Sequence, residues 1–153
     1  MNSLDTALSN YDLSHLMSEV DNGTAHIIDD TQITSKTDIK QLFGTHDYVI
    51  LFHKWPKKRI GHWVVLTKSG RNLFYFDSLG DMYSPVLIDL CKKQGYNLFV
   101  NDIQFQPDNT NMCGRWALLS IASNRLGLSP YQFIEILKRE KRNVNKFLVK
   151  EIR

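Results

Sequence analysis

Four residues of this 153-residue chain have side chains suited to nucleophilic acyl transfer: His62, Asp77, Gln106 and Cys113. A cysteine attacks a carbonyl as the thiolate, and an imidazole beside it takes the proton and later returns it to the leaving group. A carboxylate next to that imidazole fixes its tautomer and stabilises the imidazolium. A side-chain amide near the nucleophile can donate a hydrogen bond to the oxyanion that forms. Taken singly, each residue has a plainer reading: a lone strand histidine is usually structural, and a cysteine opening an apolar helix usually packs in the core. Their order and the elements that carry them make the case for chemistry.

Those elements can be read from periodicity and turn residues. YVILFH (48–53), HWVVLT (62–67) and NLFYFD (72–77) are β-branched and aromatic runs that predict strands. Lys68-Ser69-Gly70-Arg71 predicts a hairpin turn between the last two, and Trp55-Pro56-Lys57-Lys58-Arg59 links the first two. His62 then begins one strand of a hairpin and Asp77 ends the other, so the two ends are neighbours. LFVNDIQF (98–105) predicts a further strand, followed by the polar loop 107–112. A helix is predicted from Cys113 to about Leu126, ended by Gly127, and another opens at Ser129-Pro130 with an N-cap and a proline at N1. Pro85 to Gly95 predicts a helix closed by its glycine. The acidic N-terminal segment predicts a short helix over about 10–19, mostly loop over 21–36 with one short strand, and a helical turn at 38–43. This order predicts one α+β domain, a central, mostly antiparallel sheet packed by helices. It divides into an acidic part (1–47), a catalytic core (48–126) and a basic C-terminal helical segment (127–153).

At a helix N-terminus, Cys113 feels the positive end of the helix dipole, and a nearby imidazolium adds to it; both favour the thiolate. Gly114 follows at once and leaves room for substrate to approach. Gln106, in the loop before the cysteine, offers the amide donor, together with a backbone N–H near Cys113.

Composition sets bounds on what the chain does. It is 42% hydrophobic and 23% charged, which are globular values. No apolar run approaches the roughly 20 residues needed to span a bilayer, and MNSLDTALSNYDL has neither the basic nor the apolar region of a secretory signal. The two cysteines, Cys91 and Cys113, are too few for a disulfide framework and predict a reducing compartment; neither has a partner at zinc-ligand spacing, so no metal site is expected. Cys91 reads as a buried small hydrophobe. Charge is unevenly placed: residues 1–47 carry two basic and eight acidic side chains, and residues 138–153 carry seven basic and two acidic. Lys54, Lys57, Lys58 and Arg59 before the histidine strand, and Lys138, Arg139, Lys141, Arg142 and Lys146 in the basic segment, are candidate phosphate contacts, against the plainer reading of solvated faces.

The segments GHW (61–63), FDSLG (76–80) and QPDNTNMCG (106–114) together resemble the adenain-like cysteine proteases, which include the adenovirus maturation endopeptidase and share their fold with the SUMO-specific proteases. The resemblance covers about residues 43–125. The seven-residue step from Gln106 to Cys113 matches the adenain form. It implies that Cys113 is the nucleophile, His62 the general base and acid, Asp77 its orienting carboxylate where adenain has a glutamate, and Gln106 the oxyanion donor. Trp63, after the histidine, is implied to line the substrate cleft with Gly114. Gln104 is a second glutamine; strand alternation points both the same way, and spacing favours Gln106. Adenain has a cysteine that bonds an activating peptide, a role not carried to Cys91. The implied function is that of a viral thiol protease of the virophage or Polinton type. It would cleave virion precursor proteins at small-residue, glycine-rich sites during virion assembly, as a monomer in the virion and the host-cell interior. It would need no cofactor, with DNA or a peptide as potential activators.

Three other readings stay open. A SUMO or ubiquitin-like isopeptidase would keep the chemistry, although 153 residues leave little room for a modifier-binding surface. An acetyltransferase of the same fold would depend on acetyl-coenzyme A. A non-catalytic binding module would have no need of all four residues. The charge pattern yields a first prediction: affinity for duplex DNA falls as salt rises and falls on deleting residues 138–153, because contacts without base readout go to phosphates. A titration in which salt and deletion both leave affinity unchanged would remove the DNA reading.

Overall fold

In the computed structural model, the described residues are 26–53, 62–80, 84–101, 103–105 and 113–151; at 53, 113, 114 and 141–151 the description is of the backbone alone. The helix expected at 10–19 and the linker 54–61 lie outside the described residues.

Five strands form one sheet in sequence order: β1 (Ile27–Asp29), β2 (Tyr48–His53), β3 (His62–Ser69), β4 (Asn72–Phe76) and β5 (Asn97–Val100). The expectation of a mostly antiparallel sheet holds for its centre, where β2, β3 and β4 pair antiparallel. Both edges differ: β1 runs parallel to β2, and β5 parallel to β4. Parallel neighbours need a crossover. Helix α1 (Ile39–Phe43) lies in the first and α2 (Pro85–Gln94) in the second. The β3–β4 hairpin is tighter than predicted: Ser69 pairs with Asn72, leaving Gly70-Arg71 as a two-residue turn with Gly70 at φ 58°.

The sheet is covered on both faces, which is why its strands read as near-continuous apolar runs rather than alternating ones. Along β3, Val64 and Leu66 face a core shared with Ile39 and Phe43 of α1 and Leu87, Leu90 and Cys91 of α2. Trp63 and Val65 face the opposite core, with Trp116, Leu118 and Ile121 of α3 (Cys113–Arg125) and Phe133 and Leu137 of α4 (Pro130–Glu151). Helix ends follow their capping residues. Asp38 accepts from the Lys40 N–H at 2.9 Å, and Ser129 and Gln132 cap each other's backbone N–H at 3.2 and 2.9 Å. Gln94, at the end of α2, accepts from the Ile39 N–H and donates to the Thr37 carbonyl, tying the two crossovers together.

Cys91 lies in α2 and is buried, as expected, and burial raises its thiol pKa. Burial, and then the carboxylates of Asp77 and Asp30, push the Tyr75 phenol further in the same direction. Both groups hold their protons more tightly folded than unfolded. Their contribution to stability is therefore complete below the ordinary values of 9.0 and 10.0 and is lost progressively as pH rises above these toward the raised folded values. Thermal unfolding followed from pH 8 to 11 is expected to show a falling Tm above about pH 9, less steeply in Tyr75→Phe. An identical fall in that variant would acquit Tyr75.

Candidate active site

His62 opens β3 and Asp77 follows the last residue of β4. Val65 stands opposite Phe76, so the two residues fall at the same end of the hairpin, opposite its turn. The register brings them into contact: His62 Nε2 and Asp77 Oδ1 are hydrogen-bonded, with the side chains only 2% and 1% exposed. A buried carboxylate loses several kcal/mol of hydration, and a well-packed apolar pair of the same size as these two side chains would often serve stability as well. Nε2 faces the carboxylate, so Nδ1 is the ring nitrogen directed away from Asp77.

The FDSLG segment explains how the carboxylate is aimed. Asp77 Oδ1 also accepts from the Leu79 N–H at 2.9 Å, an Asx-turn contact, and the Gly80 N–H closes the turn onto the Asp77 carbonyl at 2.9 Å. Gly80 sits at φ 73°, and a Cβ there would lie 3.0 Å from the Ile103 carbonyl carbon and 3.1 Å from the Gln104 nitrogen. Glycine is thus required by both conformation and contact. Residues 103–105 lie against this turn: Phe105 donates its N–H to the Ser78 carbonyl at 2.8 Å and is fully buried. Asn101, which the sequence reading passed over, places its side-chain amide on the Asp77 backbone. An asparagine where an apolar strand run breaks off was the available signal.

Helix α3 begins at Cys113, as predicted. Its direction follows from its far end. Asn124, Gly127 and Leu128 bound a polar cavity together with Lys68, Ser69 and Gly70 of the hairpin turn. Thirteen helical residues span about 20 Å and the eight of β3 about 25 Å, so the start of α3 lies toward the His62 end of β3. One turn along, Trp116 stacks near Phe105 at 6.2 Å, the residue bonded to Ser78 beside Asp77. The backbone thus carries His62, Asp77 and the first turn of α3 to one region of the molecule. Gly114 is the second residue of that helix. Arg115, also passed over in the sequence, is buried there at 3% exposure.

The remaining candidates are distributed as follows. Gln106 lies outside the described residues, directly after the buried Phe105. The expected strand over 98–105 ends at Val100, so alternation does not govern Gln104, which is half-buried beyond the strand. Trp63, expected to line the cleft, is 2% exposed and packs on Phe52 at 4.6 Å, within the core. His53 pairs across β2–β3 with His62. Lys54, Lys57, Lys58 and Arg59 lie outside the described residues. Lys138 and Arg139 are exposed on α4, Lys138 paired with Glu135 at 3.2 Å; Lys141, Arg142 and Lys146 continue the same helix. Among the described residues, no three of His, Cys, Asp or Glu group as metal ligands, and no helix is long and apolar enough to cross a membrane.

No protein-family model and no curated protein sequence matches the chain. Solved structures do. The ASFV (African swine fever virus) pS273R protease superposes with a TM-score of 0.62 at 15% identity, over 99% of this chain and 71% of that one. A second structure of that protease gives 0.61 at the same identity, over 99% and 70%. The C-terminal protease domain of Ulp1, in complex with Smt3, the yeast ortholog of SUMO, gives 0.51 at 13% identity, over 97% of this chain and 79% of that one. With a mixed five-stranded sheet and four helices among the described residues, the chain has the fold of the SUMO-protease and adenain-like cysteine proteases.

Proposed function

We propose that the chain is a cysteine endopeptidase in which Cys113, His62 and Asp77 form the catalytic triad and Gln106 supplies an oxyanion donor. The observation that carries this reading is the buried His62–Asp77 pair at the end of the sheet toward which the Cys113 helix starts. Such a pair is an expensive structural element and a well-suited proton-transfer device.

The steps follow from the chemistry of the groups. Cys113 passes its proton to Nδ1 of His62, and the Asp77 carboxylate on Nε2 stabilises the resulting imidazolium. The N-terminal position of Cys113 on α3 favours the thiolate. The thiolate adds to the peptide carbonyl, and the oxyanion is held by Gln106 and a backbone N–H at the helix start. His62 protonates the leaving amine from Nδ1, which leaves a thioester. Water, deprotonated by the same nitrogen, then releases the acid and restores the thiol. No step calls on a metal or an organic cofactor. Trp63 supports the cleft from beneath, and Gly114 leaves space beside the nucleophile.

For the substrate we propose virion precursor proteins cut at small, glycine-rich sites in the virion or host-cell interior. The resemblance of the catalytic segments to adenain and the fold shared with a viral protease support this. Duplex DNA and a peptide remain the proposed activators, with the basic residues of α4 as the phosphate-binding face. The whole chain acts as one catalytic domain.

Cleavage of a peptide library by wild type and Cys113→Ala, with and without DNA, tests the reading. Wild type alone is expected to cut, after small residues. Asp77→Asn is expected to lower kcat by about 10²–10⁴-fold with KM little changed, because it removes imidazolium stabilisation and the correct tautomer. Equal activity of wild type and Cys113→Ala would end the proposal. A second check needs no substrate. Iodoacetamide at neutral pH is expected to label Cys113 well ahead of Cys91, whose thiol is buried and raised in pKa. Faster labelling of Cys91 would contradict an activated Cys113.

A further inference from the structure

The strand β5 stops at Val100, opposite Tyr75, while its parallel partner β4 continues to Phe76 and leads directly into Asp77. The last regular rung between them is the Asn101 N–H to the Tyr75 carbonyl at 3.4 Å. In a continuing parallel ladder, the Asp77 N–H would donate to the Asn101 carbonyl, and the Asp77 carbonyl would accept from the N–H of residue 103. The Asn101 side chain takes over both rungs. Its Oδ1 accepts from the Asp77 N–H at 2.8 Å and its Nδ2 donates to the Asp77 carbonyl at 2.5 Å. The second hydrogen of Nδ2 reaches the Ile103 carbonyl at 3.2 Å. That carbonyl belongs to the backbone against which Gly80 is pressed.

We propose that Asn101 is a positioning residue of the catalytic site: by clamping both backbone polar groups of Asp77, its amide aims the carboxylate at His62. The same amide holds Ile103, and so sets the course of the segment that leads through Phe105 to Gln106. This rests on the triad reading above and extends it to a residue that touches no substrate. The amide group is suited to the task because it carries an acceptor and two donors in one plane. An aspartate of the same shape supplies only the acceptor once ionised. The carboxylate already accepts from the Leu79 N–H, so its orientation is set on both sides of the Cα: by the turn ahead and by the clamp on its own peptide groups.

The test separates positioning from mere folding and from the protease reading. The imidazole N–H proton of His62, shared with Asp77, is read by proton NMR as a low-field resonance, assigned by its loss in Asp77→Asn. In Asn101→Ala it is expected to move upfield or broaden, while the remaining dispersed spectrum persists. In peptide cleavage, kcat is expected to fall about 10–100-fold with KM within a few-fold, as displaced catalytic groups behave. The isosteric Asn101→Asp carries the same prediction if the alanine variant fails to fold. Asn97→Ala is the control: it removes the other asparagine bridge between β5 and β4, Asn97 Nδ2 to Asn72 Oδ1 at 3.1 Å, at the far end of the strand. It is expected to leave the resonance and kcat unchanged. An unshifted His62 resonance in a folded Asn101 variant overturns the clamp, whether or not the wild type cleaves peptides. Absence of wild-type cleavage would overturn the protease reading and leave the NMR comparison standing.

Discussion

The buried hydrogen bond between His62 and Asp77 is the constraint around which this structure is arranged. A carboxylate and the imidazole it orients are held almost wholly out of water. Their lost hydration is offset only if the geometry is good and the remaining polar atoms are satisfied. The protein meets that condition with backbone groups and one side-chain amide. The Leu79 N–H reaches the same carboxylate oxygen, the Gly80 N–H closes the turn, and the Asn101 amide holds the peptide groups on either side. Each contact lies within a hydrogen-bonded turn or at the end of a strand, so the carboxylate is aimed by groups that are themselves held in place.

The rest of the fold supplies that stiffness. The antiparallel centre of the sheet fixes where β3 begins and β4 ends, so the histidine and the aspartate are placed by strand register. The parallel edge strand β5 returns the chain to the same end, and its continuation packs against the Asp77 turn through Gly80 and Phe105. Phe105 then stacks near Trp116 in the first turns of α3. A run of contacts thus leads from the carboxylate to the helix that Cys113 opens. Two apolar cores, one on each face, hold the sheet rigid between its helix layers. Core packing of this density resists small displacements, and catalytic geometry depends on small displacements.

Much of this was legible in the chain. The strands at 48–53, 62–69 and 72–76 follow from their β-branched and aromatic runs, and α2, α3 and the start of α4 from their caps and glycines. The neighbouring of His62 and Asp77 followed from a single hairpin. Other features were not legible. The parallel edges arise because β1 and β5 join through crossovers, and a short apolar run carries no record of its partner's direction. LFVNDIQF reads as one strand, yet it ends at Val100 because the side chain of Asn101 takes over the ladder. Trp63 was expected by analogy of position to line the substrate cleft, and strand alternation packs it in the core with Val65.

The sequence by itself determined the chemical inventory and its local scaffolding: a thiol at a helix start, an imidazole at a strand start, a carboxylate at a strand end, and a hairpin turn at Gly70. These are local properties, set by side-chain type, periodicity and backbone preference over a few residues. Only the tertiary structure decided that the carboxylate and imidazole are buried together, that residues 103–105 lock against the Asp77 turn, and that α3 runs so that its first turn lies toward them. Each of these depends on contacts between residues far apart in the chain, whose formation is settled by how two faces of one sheet are covered and not by any local preference.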